Sequence, residues 1–104
     1  MKVVFAEKAK QDISTIYDRL AEESVKGAQN VENQIRAHSA RLGMFPYASV
    51  ATDEPNVRRL PIGRYPYAIF CRIDDERGIV EIARVIHGAR IQNLRRIPHE
   101  GEAD

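Results

Sequence analysis

The stretch RVIHGAR, residues 84–90, places three residues capable of chemistry at the end of an apolar run. Arg84 and Arg90 carry permanent positive charge, and histidine, the residue type at position 87, is a common proton carrier in proteins. With a tyrosine such as Tyr65, these residue types are able to cleave RNA without a metal, because cations stabilise the phosphorane and a histidine or tyrosine moves a proton. The same arginines suit binding to a carboxylate or phosphate. The stretch alone leaves cleavage, binding and strand termination open.

His87 and Arg84 each have more than one interpretation. The His87 ring either caps the strand end by bonding the backbone at the Gly88 turn, contacts a target, or carries out acid–base chemistry. Arg84 lies inside an apolar run, where a guanidinium must be paired or reach water. It therefore lies on an open sheet face, where it can contact a target, or it pairs with a carboxylate such as Glu81 or an acid of a partner.

The basic residues are distributed unevenly along the 104-residue chain, although its net charge is only +1. Residues 57–99 contain nine basic and four acidic side chains, and all nine basic ones are arginine. All four lysines fall within the first 26 residues. Arginine offers a planar fork for carboxylates and phosphates, so this half predicts an arginine-bearing binding surface, unless codon bias alone explains the preference.

Two amphipathic helices are predicted in the first half. Ala9, Ile13, Ile16, Tyr17 and Leu20 form one helical face, and Ser24 is suited to cap a second helix. In that second helix an apolar stripe, with His38 as a half-buried spacer on it, ends at Gly43; its apolar members are Ala28, Val31, Ile35 and Leu42. The short connection predicts an antiparallel hairpin.

Strands are predicted before and after this hairpin. The run VVF opens the chain, and VRRL (57–60), PYAIFCRI (66–73) and GIVEIARVIH (78–87) follow at hairpin spacing, after a loop at 46–56. The last run is apolar at nearly every position, which is typical of a central strand. Arg58 and Arg59 are adjacent on a strand and point to opposite faces, so at most one shares an open face with Arg84.

The predicted fold class is therefore α+β with the order β-α-α-β-β-β, a helix hairpin packed on one face of a small, mostly antiparallel sheet. Residues 1–98 form one domain, and residues 99–104 form a polar C-terminal tail. Residues 91–97 fit either a last helical turn or an added edge strand. Cys71 is the only cysteine, and no stretch approaches the roughly 20 apolar residues of a membrane span. We expect a cytoplasmic protein without metal or other cofactor.

Four stretches of the chain resemble the RelE/ParE superfamily of bacterial type II toxins. They are the opening VVFAEKAKQDISTIYDRL, the helix exit at 42–46, VRRLPIGRYPYAIFCRI and, most specifically, EIARVIHGAR (81–90). The last motif resembles the ParE-like branch. The resemblance implies a growth-inhibiting toxin, of the kind that stabilises plasmids, encoded beside an antitoxin that wraps and neutralises it. ParE-like members inhibit DNA gyrase, whereas RelE-like members cut mRNA on the ribosome.

Two observations favour the gyrase-inhibiting branch. RelE-like enzymes usually place a tyrosine or several lysines near the last strand and the C-terminal tail, whereas this chain has no tyrosine after Tyr67 and no lysine after Lys26. We therefore expect no catalytic residues, and a target-binding set of Arg59, Arg64, Arg84, His87 and Arg90. The alternative is a ribosome-dependent endoribonuclease that uses His87, Arg84, Arg90 and Tyr65, with Tyr67 as the other tyrosine able to substitute for the missing one. A further alternative is a toxin-like binding module without an active target.

The expected partner is a ParD-like antitoxin with an acidic segment that folds on binding. The helical stripe Ile13, Tyr17, Leu20, Val31 and Ile35 is core by default, and a groove between the hairpin and the sheet is also a natural site for an antitoxin helix. Direct nucleic-acid binding is disfavoured, because the net charge is small and no nucleic-acid-reading motif is present.

Overall fold

In the computed structural model, which describes residues 1–88, strand β1 (Lys2–Phe5) leads directly into helix α1 (Glu7–Ala21). Helix α2 (Val25–Met44) follows. Ser24 caps it, because its hydroxyl oxygen accepts a hydrogen bond from the Gly27 N–H at 3.0 Å. The two helices pack against each other as the predicted hairpin.

The rest of the described chain forms strands, with one 3-10 turn (Pro46–Ala48) after α2. The sheet has the order β1-β5-β4-β3-β2, and only the β1 and β5 pairing is parallel. The α+β class with a mostly antiparallel sheet is therefore confirmed. The four strands after the helices are β2 (Val50–Ala51), β3 (Arg58–Pro61), β4 (Tyr67–Asp74) and β5 (Ile79–His87).

The sheet carries apolar side chains on both faces. On the first face, Ile69, Val80 and Ile82 pack with helix residues that include Ile13 and Ile35. The second face carries another apolar cluster, and none of its members among the described residues belongs to a helix: Val57, Ala68, Phe70, Ala83 and Ile86. Burial on both faces explains why β5 is apolar at nearly every position, as a central strand should be.

The sequence missed one strand. The segment 46–56 was predicted to be a loop, but Val50 and Ala51 pair with Arg59 and Arg58 of β3. The resulting order is β-α-α-β-β-β-β, with β2 at the sheet edge. A two-residue strand has no alternation to detect, and Pro55 so close by hides it further.

Gly43 was predicted to end the second helix, but the helix ends one residue later, and Gly43 has a different role. The helix continues to Met44, and Gly43 lies in its last turn against the start of β1. A Cβ at this position would lie 2.8 Å from the Met1 carbonyl oxygen and 2.9 Å from Val3 Cγ2. Gly43 is therefore needed for a close approach of two elements, not for a left-handed cap.

We predict that Gly43→Ala destabilises the protein by about 1–3 kcal/mol, because the new methyl group overlaps backbone that cannot move away freely. Helix propensity alone predicts the opposite effect, an increase of about 1 kcal/mol in the free energy of unfolding. Urea denaturation of the two proteins decides between them. A higher denaturation midpoint for the alanine variant would contradict the close packing described here.

Cys71 lies in the helix-side core, and burial raises the pKa of its thiol. The folded thiol therefore keeps its proton at a pH where the unfolded thiol, with a pKa of about 8.5, has lost it. The stability that the buried, protonated thiol contributes to the fold is therefore fully present below about pH 8.5, and it is lost as the pH rises.

We predict that the unfolding free energy falls more steeply above about pH 8.5 in the wild type than in Cys71→Ala. Urea denaturation of both proteins at several pH values measures the two slopes. Identical slopes would show that the thiol ionises equally in the folded and unfolded chains.

Neither described helix is long and apolar enough to cross a lipid bilayer. The predicted tail at 99–104 and the undecided segment at 91–97 lie outside the described residues. The domain boundary at residue 98 stays a prediction.

Candidate functional site

A cleft of about 410 Å³ lies where the end of β5 meets α1. We call it the β5-exit cleft. It contains two of the residues singled out from the sequence, Arg84 and His87. Its full described lining is Asp12, Thr15, Ile16, Arg19, Tyr67, Arg84, Val85, Ile86 and His87.

Arg84 is bound to α1 through the carboxylate of Asp12. Arg84 Nε donates to Asp12 Oδ2 at 2.7 Å, and Arg84 Nη2 donates to Asp12 Oδ1 at 3.0 Å. The backbone N–H of Val85 donates to Asp12 Oδ2 at 2.9 Å. A two-pronged pair of this kind is among the stronger interactions in proteins. The side chains of Arg84 and Asp12 are only 23% and 15% exposed, so the pair is largely withdrawn from water.

A local irregularity in the sheet accompanies this contact. Between β4 and β5, Phe70 pairs with Arg84 and Cys71 pairs with Ile82, which leaves Ala83 as an extra residue. Such a bulge changes the direction of the side chains that follow it. It explains why Ile82 and Val85 both enter the helix-side core although they are three positions apart.

The interpretation of Arg84 must be corrected accordingly. The sequence suggested either an open sheet face or a pair with a carboxylate, such as Glu81 or an acid of a partner. Arg84 is paired with a carboxylate, but the carboxylate is that of Asp12. The structure instead places the Arg84 guanidinium toward α1, and Glu81 pairs with Arg72 at 3.1 Å. Asp12 carries a usable signal, because it lies three residues after Ala9 and four before Ile16, on the inner face of α1.

The other wall of the cleft is built on Tyr67. Arg19 Nη2 donates to the Tyr67 hydroxyl at 2.9 Å, and the His87 ring stands edge-on to the Tyr67 ring with centroids 5.4 Å apart. Tyr67 and His87 are opposite one another in the sheet, which fixes this contact. The sequence analysis missed Arg19. It placed Tyr65 in the alternative catalytic set with Tyr67 as the other candidate, and Tyr67 is the tyrosine that contacts His87.

The turn between β3 and β4 lies beside this end of β5. The backbone N–H of Gly88 donates to the Pro66 carbonyl at 2.6 Å. Arg64 is exposed in the same turn, with its guanidinium 5.6 Å from the centroid of the Tyr65 ring. Arg64, Tyr65 and His87 therefore share one end of the sheet, which we call the hairpin end. Arg90 follows two residues later, outside the described residues.

Arg59 is separated from the others. It pairs with Phe70, so it lies on the second sheet face. Arg72 lies on this face as well, since it is two residues from Phe70 on β4. Arg59 Nε and Arg72 Nη2 are buried and have no hydrogen-bond partner among residues 1–88. Four of the five predicted target-binding residues lie in the described part of the chain, and these four do not form one cluster, because Arg59 is on the second sheet face.

The predicted antitoxin-binding stripe is mostly inaccessible. Ile13, Val31 and Ile35 are buried in the helix-side core, and Tyr17 and Leu20 are half-buried. The default interpretation of these residues as core is confirmed for the three buried ones. They cannot contact a partner unless the hairpin leaves the sheet.

The β5-exit cleft combines cations, an aromatic hydroxyl and an imidazole. Arg19 and Arg84 would attract an anion, and His87 and Tyr67 are groups that can move a proton. Asp12, the one carboxylate among the described lining residues, already accepts three hydrogen bonds. Among residues 1–88, no three His, Cys, Asp or Glu side chains are grouped as metal ligands.

Comparison with known families decides the relationship. The model of the family described as "ParE toxin of type II toxin-antitoxin system, parDE" matches residues 3–92. The chain belongs to the ParE toxin family. It is thus a toxin of the type II toxin–antitoxin class, and the resemblance to the RelE/ParE superfamily is confirmed.

Solved structures of similar fold include other toxins of this superfamily. A chain of the chromosomal ParDE system from P. aeruginosa is 21% identical, with a TM-score of 0.74 over 84% of this chain and 95% of that one. A chain of the RelBE2 toxin–antitoxin complex from Mycobacterium tuberculosis is 24% identical, with a TM-score of 0.56 over 83% of this chain and 88% of that one. The isolated E. coli RelE toxin is 15% identical, with a TM-score of 0.62 over 91% of this chain and 96% of that one. A search of curated protein sequences found no match.

We predict that Asp12→Asn lowers the unfolding free energy of this ParE-family chain by about 2–3 kcal/mol. Loss of one partner of a fully buried pair costs about 3–5 kcal/mol, and the residual exposure of Arg84 reduces that figure. Urea denaturation measures the loss.

Glu32→Gln provides the matched control for this substitution. Glu32 pairs with Arg36 at 3.3 Å on the exposed side of α2, so its loss should cost less than about 0.5 kcal/mol. Equal losses for the two variants would mean that the Asp12 pair contributes no more than a surface pair.

Proposed function

We propose that this ParE-family toxin acts by binding DNA gyrase and is neutralised by a ParD-like antitoxin with an acidic segment. Both interactions would take place in the cytoplasm, where gyrase acts on the chromosome. The toxin would work as a binding protein, and it would need no cofactor.

The observation that carries this proposal is the engagement of Asp12. An RNA-cleaving site needs a base to activate the 2′-hydroxyl, and Asp12 is held by Arg84 and by the backbone of Val85. Arg84 is neutralised in the same contact, which weakens its ability to stabilise a phosphorane. The lack of a tyrosine after Tyr67 and of a lysine after Lys26 supports the same conclusion.

The proposed contact with gyrase is the hairpin end, with Arg64 and His87 at its surface and Arg90 beyond Gly88. Arg64 is exposed and rests over Tyr65, an arrangement in which a guanidinium presents donors to a partner carboxylate. In this proposal Arg84 has an indirect role, because its pair with Asp12 holds the end of β5 against α1. Arg59 lies on the second sheet face, away from this contact.

One observation favours the alternative of a ribosome-dependent endoribonuclease. Tyr67 and His87 are in ring contact in a cleft that also holds Arg19 and Arg84. Two proton-carrying groups beside two cations would suit general acid catalysis on a phosphodiester. In this alternative Tyr67 replaces Tyr65 in the catalytic set, beside His87, Arg84 and Arg90.

We predict that the purified toxin inhibits supercoiling by purified gyrase, and that Arg64→Ala raises the concentration for half-inhibition about tenfold or more. An arginine at the centre of an interface typically contributes at least the 1.4 kcal/mol that a tenfold change represents. Arg77→Ala is the matched control, since Arg77 is an exposed arginine in the turn at the opposite end of β4.

Primer extension on translated messages distinguishes the alternatives. Codon-positioned cuts that disappear in His87→Ala would establish the endoribonuclease and contradict the proposal. Supercoiling unaffected at excess toxin, with no cuts in messages, would leave a toxin-like binding module without an active target.

A further inference from the structure

The β5-exit cleft contains hydrogen-bond donors that the Asp12 and Arg84 pair does not use. Asp12 already accepts three hydrogen bonds, so it has little capacity left for other donors. Arg19 donates only to the Tyr67 hydroxyl among residues 1–88. Because a guanidinium has five N–H donors, most donors of Arg19 have no acceptor in the described part of the chain.

The acids that follow Arg19 in the chain do not pair with it. Glu22 and Glu23 come three and four residues later, just past the end of α1. None of the ion pairs within residues 1–88 includes Arg19. The guanidinium instead contacts Tyr67 on β4, 48 residues away in the chain. This contact places the charge of Arg19 in the wall of the cleft.

Tyr67 supplies a second donor at the same point. Its hydroxyl oxygen accepts from Arg19, and its own O–H donates to no group among residues 1–88. The residue is only 4% exposed and packs in the helix-side core, so the hydroxyl has a fixed position. A guanidinium and a hydroxyl donor therefore lie side by side, without a shared acceptor.

The donor set and the volume of the cleft indicate a carboxylate. The two oxygens of a carboxylate accept from a guanidinium and a hydroxyl at once, and its charge is opposite to that of Arg19. The cleft volume of about 410 Å³ lies near the lower end of the range for ligand pockets. This volume suits one acidic side chain better than a whole helix.

The surroundings of Arg19 favour a protein carboxylate over a nucleic-acid backbone. Asp18, Glu22 and Glu23 are exposed on the same stretch of chain as Arg19. A nucleic acid carries a negative charge at every nucleotide, so its backbone would be repelled by these acids as it passed them. A single acidic side chain needs to approach only Arg19 and Tyr67.

His87 connects the cleft to the hairpin end. It lines the cleft, where its ring contacts that of Tyr67, and it also shares the hairpin end with Arg64 and Tyr65. A protein that covers the hairpin end therefore also reaches the mouth of the cleft.

We propose that the β5-exit cleft binds one Asp or Glu side chain of the target protein, held by Arg19 and the Tyr67 hydroxyl. This inference rests on the proposed function, because gyrase is the target that would supply the carboxylate. It adds two residues to the hairpin-end contact, and Asp12 and Arg84 keep their role in the scaffold.

The first test uses acetate as the probe of the cleft in the full-length toxin. We expect saturable NMR shifts of the Tyr67 ring signals with acetate and none with chloride at equal ionic strength. Arg19→Gln should abolish the shifts, because it removes the charge that holds the carboxylate. The absence of a saturable shift with acetate would overturn the inference. Tighter binding of dimethyl phosphate than of acetate would overturn it too, since a phosphodiester would then be the better occupant.

The second test measures inhibition of gyrase supercoiling by folded variants, as checked by circular dichroism. Arg19→Gln should raise the toxin concentration for half-inhibition about tenfold or more. Tyr67→Phe keeps the ring and removes only the hydroxyl, so it should raise this concentration about threefold or more. Arg36→Gln is the matched control with an expected change below about twofold, since Arg36 is an exposed helix arginine that pairs with Glu32.

The outcomes separate this inference from the proposed function. If the wild type leaves supercoiling unaffected, the proposed target is wrong, and growth inhibition by the expressed toxin replaces supercoiling as the measurement for the same variants. Folded Arg19→Gln with wild-type potency would overturn the inference and leave the gyrase proposal standing. Weaker antitoxin binding by Arg19→Gln in calorimetry, with inhibition unchanged, would also overturn it, because the cleft would then receive the antitoxin.

Discussion

The carboxylate of Asp12 links the helix layer of this toxin to the central strand β5, at the end where we expect its function. Asp12 on α1 accepts two hydrogen bonds from Arg84 and one from the backbone of Val85, so helix and central strand are fixed side by side. The bulge at Ala83 makes this possible, because it lets β5 direct Val85 into the core close to the Arg84 pair. The positions of Tyr67 and His87 follow from the same alignment of β4 with β5.

This constraint also limits the chemistry. A carboxylate that holds a guanidinium and a backbone N–H is a structural group, and the cation it neutralises is less available to a phosphate. We therefore propose the exposed groups at the hairpin end, Arg64 among them, as the contact with the target.

The sequence predicted the order of long elements because each has a periodicity that burial on one or two faces imposes. It failed where a feature depends on three-dimensional proximity. The partner of Arg84 is 72 residues away in the chain. The helical pattern places Asp12 on the inner face of α1, but it does not identify Asp12 rather than Glu81 as that partner. Strand β2 is too short to show alternation. Gly43 resembles a helix end in sequence, whereas its actual role is the close approach of β1.

The most direct test of the account is gyrase inhibition by the double variant Asp12→Asn with Arg84→Gln. These side chains retain hydrogen-bonding groups at both positions and remove both charges. If the pair serves the scaffold, the variant should inhibit supercoiling at wild-type concentrations under conditions where circular dichroism shows it folded. A folded double variant that no longer inhibits gyrase would contradict the account, because the charges themselves would then be part of the active surface.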